Sequence, residues 1–290
     1  MDPARASESA KGVAAHRAME AEEPAELRIL DDGIARAMLG DRWTVIGVSR
    51  LPHRVALWIS ERFAPGLHDY LVARARFIDD LLIRAMEGGV TQLVILGAGF
   101  DSRPYRIPGL ADRARVFELD RPASQREKLE ALSRALGEVP GHVTFIPVDL
   151  GADAFAERLL AAGYDAARAT MFVLEGLTMY LRPGAVDEAL ASIRSLAGPG
   201  SSVVFDYTYP EVLAGTHAHR TARNLKRRMD RNGEPFAFAI ARGGAGRFLA
   251  PRGFELLQDV DHEGLDRAYF AGRRRGACPI FSVAHAAVSR

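Results

Sequence analysis

Four short apolar runs in this chain each end in glycine or an acid, and those endings are the residues that could hold a nucleoside. In Leu93-Val-Ile-Leu-Gly-Ala-Gly-Phe-Asp-Ser-Arg103 an apolar strand runs into Gly97-Ala98-Gly99. Glycines there let the backbone turn tightly and approach a ligand with no Cβ in the way. A second run ends in Phe117-Glu118-Leu119-Asp120, which places a carboxylate 23 residues after Gly97. Acids at that spacing bind ribose hydroxyls in nucleotide folds. The third, Phe145-Ile-Pro-Val-Asp149-Leu150, offers a carboxylate for the exocyclic amine of adenine and a leucine for a ring face. By spacing alone Asp149 serves equally well as the cap of a following helix. The fourth, Thr170-Met-Phe-Val-Leu-Glu175-Gly176, sets Glu175 at the carboxyl edge of a strand, where ligands meet parallel sheets.

A dinucleotide and an S-adenosyl cofactor both use such a turn and such an acid. A pyrophosphate needs helix N-terminal amides and no anion beside them. Ser102 stands where the dinucleotide fingerprint wants its third glycine, and Asp101 would repel phosphates. S-adenosylmethionine carries a sulfonium and an ammonium, so carboxylates near the turn favour it. A dehydrogenase, or a nucleotide-binding α/β protein without transfer chemistry, is the competing class.

These endings must be positioned by a sheet. Short β-type runs at Gln92 to Leu96, Arg115 to Leu119, Val143 to Val148, Thr170 to Leu174 and Ser201 to Asp206 alternate with helical stretches, which predicts a parallel sheet. Pro122 and Pro183 open two of those helices. Two further runs, about Phe254 to Val260 and Ile280 to Val288, fit a final antiparallel pair. Ahead of the sheet the pattern is helical from Ala14 to about Gly88, clearest in Leu67, Leu71, Ala75, Ile78, Leu82 and Met86. Residues 1 to about 12 read as a frayed tail with no chemical role. Tyr207 to about Phe238 reads as a basic helical insertion, followed by a glycine-rich loop from Gly243 to Gly246.

The 290 residues, 48% hydrophobic and 26% charged, have the composition of a soluble globular enzyme. The formal charge of +1 predicts no whole-protein attraction to nucleic acid. Cys278 is the single cysteine, which rules out an intramolecular disulfide and any multi-thiolate zinc site; no metal is expected. The longest apolar stretch, Leu93 to Phe100, is too short to span a bilayer, and the expected setting is cytoplasmic.

The chain resembles the leucine carboxyl methyltransferase family, and within it the bacterial branch that includes carboxyl O-methyltransferases of aromatic polyketide biosynthesis. Val94 to Arg106, Val116-Phe-Glu-Leu-Asp-Arg-Pro122, Val148-Asp-Leu150 and Leu174-Glu-Gly-Leu-Thr-Met-Tyr-Leu181 carry the resemblance, which runs from about Ala14 to Tyr207. It implies a class I methyltransferase Rossmann-like fold: a mostly parallel seven-stranded sheet with a final antiparallel strand, a helical N-terminal lid (residues 1–88) and a core (residues 89–290). A helical lid insertion after the fifth strand would occupy about 207–240.

The cofactor implied is S-adenosyl-L-methionine. By the resemblance, Arg74 grips its methionine carboxylate, a pairing suited to a guanidinium. Gly97 and Gly99 form the turn beneath the methionine part, Asp120 binds the ribose, Asp149 and Leu150 contact the adenine, and Glu175 lies close to the methionine moiety. Arg17 matches a basic residue of a helix that closes over the cofactor. Without the resemblance, Arg74 would read as a solvated flank residue of an amphipathic helix.

The expected reaction is methyl transfer to a carboxyl group of a small natural product of polyketide type, with a hydroxyl or phenol as the nearer rival. A carboxylate is ionised at neutral pH and needs no base, whereas a phenol or alcohol does. No residue clearly plays that base; His53, His68, His217 and His219 are candidates by type only. Arg220, Arg223, Lys226, Arg227, Arg228 and Arg231 form a run that is either a solvated helix face or a lid drawing an acidic acceptor. Tyr207, His219 and Arg223 are the expected acceptor-binding residues. Oligomeric state is not specified by the sequence.

Overall fold

The computed structural model describes residues 8–40, 53–150 and 155–289. Four helices precede the first strand: α1 (Glu8–Glu20), α2 (Gly33–Leu39), α3 (His53–Phe63) and α4 (Leu67–Glu87). The apolar period over α4 buries Leu71, Ala75, Ile78, Leu82 and Met86 in the same core as the strands, and Gly88 and Gly89 end the helix as expected. Residues 8–12 are not frayed, for they form the first turns of α1. Their small side chains lack an apolar period because they cover a cavity rather than a core. The tail before them lies outside the described residues.

From there strands and helices alternate. In order come β1 (Gln92–Leu96), α5 (Arg103–Arg106), α6 (Leu110–Arg113), β2 (Arg115–Asp120), α7 (Pro122–Leu136) and β3 (Val143–Pro147). Next are α8 (Phe155–Ala161), β4 (Thr170–Leu174), α9 (Pro183–Leu196), β5 (Ser202–Thr208), α10 (Pro210–Ala214) and α11 (Arg220–Arg231). The chain closes with α12 (Ala245–Leu249), β6 (Phe254–Asp261), α13 (His262–Tyr269) and β7 (Phe281–Val288). Every residue of β1, β4 and β5 is buried, as expected for central strands covered on both faces.

The seven strands form one sheet in the order β3-β2-β1-β4-β5-β7-β6. The first five pair in parallel, and β7 runs antiparallel to both β5 and β6. Successive strands move outward in one direction from β1 to β3 and in the other from β4 to β5. The carboxyl ends of β1 and β4 therefore flank a switch point, where the crevice of an open α/β sheet takes its ligand.

Two expectations change. Tyr207 and Thr208 belong to β5, not to a helical insertion: both are buried, and Tyr207 sits opposite Ser282 of β7. The expected glycine loop is a loop only in part, since Gly243 turns the chain and Ala245 begins α12.

Candidate functional site

A cavity of about 310 Å³ opens at the switch point, and the residues after all four strand ends line it. The turn after β1 is held from beneath, with the amides of Gly97 and Ala98 donating to the Leu119 carbonyl at 2.8 and 3.1 Å. Gly97 (φ 68°) and Gly99 (φ 45°) occupy the left-handed region, and a Cβ on Gly99 would lie 2.9 Å from Ala10 Cβ in α1. Glycine is what lets α1 lie directly on the turn.

Asp120 ends β2. Its Oδ2 accepts from the Gly99 amide and its Oδ1 from the Arg121 amide, both at 2.6 Å. Burial raises its carboxyl above the usual range against the pull of those two amides. Asp149 and Leu150 follow β3 and line the same cavity, as do Glu175 and Gly176 after β4.

Glu175 sits between two guanidinium groups. Its Oε1 accepts from Arg74 Nε at 3.0 Å, and its Oε2 from Arg103 Nη1 at 2.5 Å. Burial opposes its ionisation, but the cations of Arg103 and Arg74 outweigh this and lower its pKa. Arg74 Nη1 also meets Asp206 Oδ2 at 2.5 Å, while Asp206 Oδ1 accepts from the Gly176 amide at 2.6 Å. Arg74 Nη2 lies 2.9 Å from Glu175 Oε1 without hydrogen-bond alignment, so it is a buried donor with an unused bond. Behind these, Arg103 joins Asp79 at 2.7 Å and Asp101 at 2.5 Å, and Arg106 pairs with Asp79 at 2.5 Å. The charges of this buried lattice are paired, as burial requires.

Arg17 lines the cavity too, but its hydrogen bonds go to protein: Nε to Asp32 at 2.8 Å and Nη2 to the Phe100 carbonyl at 2.6 Å. It ties α1 to the glycine turn. The eight residues expected to bind cofactor thus share one cavity.

The three expected acceptor-binding residues do not line it. Tyr207 donates to Asp259 Oδ1 at 2.8 Å, inside the sheet. His219 caps α11 by accepting from the Thr221 amide at 3.3 Å, and Arg223 is exposed and bonds the Ala218 carbonyl. Helical periodicity explains the correction. Leu225, Arg228, Met229 and Asn232, spaced three and four apart, are what the α11 segment turns to the cavity, whereas Arg223 falls on another face. Among the candidate bases, His217 accepts from the His219 amide at 3.1 Å. His68 is buried between α1 and the chain's last loop. The His53 side chain lies outside the described residues.

Asp206 and His16 escaped the sequence reading, whereas Arg228 was read as one of six basic residues of the run but not singled out. Asp206 follows a hydrophobic run like the other acids and could have been found by that rule. His16 shares its helix with Arg17, and the spacing of Ser9, Val13 and His16 marks the face it occupies.

The site suits S-adenosylmethionine in its own chemistry. It offers a turn where a Cβ would collide, carboxylates for hydroxyl and cationic groups, and the unused Nη2 of Arg74 for a carboxylate. No phosphate cradle accompanies them: Asp101 lies at the turn, ion-paired with Arg103.

The fold is that of the class I methyltransferases. The family model described as leucine carboxyl methyltransferase matches residues 10–194, and the chain belongs to that family. It is 33% identical over 229 residues to a Mycolicibacterium paratuberculosis protein named for S-adenosyl-L-methionine-dependent methyl transfer, covering 77% of this chain and 70% of that one. A Bacillus subtilis relative named for the same activity is 26% identical, covering 77% and 72%. A solved structure of a DUF574 family protein from Streptomyces avermitilis superposes with a TM-score of 0.60 at 16% identity, covering 94% of this chain and all of that one. S-adenosylmethionine is accordingly the cofactor. Among the described residues no helix is long and apolar enough to cross a membrane.

Proposed function

We propose that the chain transfers a methyl group to an oxygen of a small, largely apolar acceptor. The observation that carries this reading is the apolar part of the cavity's lining, contributed by residues other than the glycine turn and the strand-end acids. Leu67, Leu71, Met179, Tyr180, Met229 and Phe281 wall the cavity with apolar surface, and Arg228 stands exposed at its side with no ion-paired carboxylate among the described residues. An apolar body bearing one acidic oxygen fits such walls. A carboxyl group, as in a polyketide acid, is the acceptor the family resemblance favours, with Arg228 as its counter-ion. A hydroxyl is the second reading, favoured by His16, which lines the same cavity.

In this reading Arg74, Asp120, Asp149, Leu150 and Glu175 hold S-adenosylmethionine, whose sulfonium supplies an electrophilic methyl carbon. Helix α1, the part of the 1–88 lid that covers the cavity, excludes water, and the apolar walls orient the acceptor oxygen for in-line attack. A cytoplasmic setting belongs to the same proposal, supported by the single cysteine, Cys278, kept as a buried thiol.

Radiolabelled methyl transfer to a panel of aromatic carboxylic acids and phenols tests this. Label in an extractable product is expected, removed by mild alkali if it is an ester and retained if it is an ether. Label appearing only on nitrogen or sulfur acceptors would overturn the proposal.

A further inference from the structure

A chain of side chains leads away from the cavity through residues that are not among those assigned to the cofactor. His16 of α1 lines the cavity, and its Nδ1 lies 3.1 Å from Nδ1 of His68 in α4. His68 Nε2 lies 3.1 Å from Oε2 of Glu20, which is fully buried. Arg275 grips Glu20 with both Nη atoms, at 3.2 and 2.8 Å, and Asp69 with its Nε at 2.9 Å. Gly66 lets the loop bearing Arg275 come this close, since its φ is 71° and a Cβ there would sit 2.7 Å from the Gly276 carbonyl.

The bonding order fixes the protons. Two carboxylates share one guanidinium, which leaves a net negative charge behind His68. Glu20 also accepts from the Ile29 amide at 2.8 Å; although burial opposes its ionisation, His68 and Arg275 bring its pKa down to about 2. As a carboxylate it can only accept, so His68 donates from Nε2, and the neutral form of His68 keeps a lone pair on Nδ1. His16 then donates from its own Nδ1. Its remaining nitrogen, Nε2, has no bond to any described residue and carries the lone pair on the ring that lines the cavity. Second-sphere partners set the working nitrogen of catalytic histidines in this way.

We infer that His16 is the general base of this methyltransferase, set by His68, Glu20 and Arg275 to take a proton from the acceptor, and that the acceptor oxygen is therefore a hydroxyl of phenol type. This rests on the O-methyl reading above and chooses between its two oxygens. The acceptor's O–H bond breaks as an N–H bond forms at His16 Nε2, and the oxygen's electron pair bonds the methyl carbon as the carbon–sulfur bond breaks, leaving a neutral thioether. His16 passes its Nδ1 proton to His68, where the charge of Glu20 and Asp69 receives it, and the net product is one proton to solvent. A carboxylate acceptor would leave this apparatus without a task. Burial, His68 and Arg228 all lower the His16 pKa, which keeps the ring neutral and its lone pair free at neutral pH.

Two readouts on the full chain test the inference. Imidazole nitrogen shifts of 15N-histidine-labelled protein at pH 8, with His16 assigned by its loss in His16→Gln, should show His16 protonated at Nδ1 and bare at Nε2. Glu20→Gln should release that tautomer to a mixture. A His16 ring protonated at Nε2 would overturn the inference, because His68 would then be the donor. Transfer to 6-hydroxy-2-naphthoic acid, which presents both oxygens, should give the methyl ether, at a rate that falls about 10²–10⁴-fold in His16→Gln. A methyl ester formed at the same rate by both proteins would also overturn it. Absence of either product counts against the O-methyl reading itself, and the ring shifts then still decide the relay.

Discussion

Asp120 bridges the Gly99 and Arg121 amides and lines the cavity in which we propose that it binds the ribose. Asp120→Ala should weaken S-adenosylhomocysteine binding by about 1–3 kcal/mol, the scale of hydrogen bonds to a charged group. An unchanged dissociation constant in a folded variant would remove Asp120 from the site. Arg74 needs a gentler substitution than alanine, which would leave Glu175 and Asp206 buried without their shared cation. Arg74→Lys keeps the charge and loses the fork. It should weaken S-adenosylhomocysteine more than 5′-methylthioadenosine, which lacks the amino-acid carboxylate; equal losses in titration calorimetry would make Arg74 purely structural. Asp120 was legible in the sequence because it follows an apolar run at a fixed spacing, whereas Arg74 was placed only by the family resemblance. His16 was not legible, because its meaning depends on His68, 52 positions away, and on Arg275, beyond that.

Helix α1 meets the glycine turn at Ala10 and is tied there by Arg17. Gly99→Ala should push α1 from the turn and also incur left-handed strain of about 1 kcal/mol. Hydrogen exchange of the α1 amides is expected to accelerate in this variant, and Ala10→Gly in the same chain should restore part of the protection. Unchanged exchange would mean that α1 does not depend on that contact. The first turns of α1 could not be foreseen, since a helix that covers a cavity shows no apolar stripe. The five parallel strands and α4 could, because their periods of two and 3.6 reflect burial in one core. On α11 a related limit applies: composition marked the basic helix, but only its rotation about its axis decides that Arg228 and not Arg223 lines the cavity.

Across the molecule, buried ion pairs join α1, α4 and the loop before β7, and stability should follow their charge. Glu20 has a folded pKa of about 2 against an ordinary 4.5. Its contribution is complete above about pH 4.5 and is lost as pH falls toward 2, on the order of 3 kcal/mol in all. Urea unfolding between pH 6 and pH 3 should therefore lose stability more steeply in the natural protein than in Glu20→Gln; equal slopes would show that Glu20 titrates normally. The central claim, however, is that one cavity at the β1 and β4 ends holds the cofactor beneath α1 with an acceptor space beside it. A crystal structure of the chain with S-adenosylhomocysteine tests this most directly. The predicted result has the ribose at Asp120, the adenine at Asp149 and Leu150, the amino-acid carboxylate at Arg74, and the sulfur facing the space lined by His16 and Arg228. A ligand bound elsewhere, or one whose sulfur is walled off from that space, would contradict it.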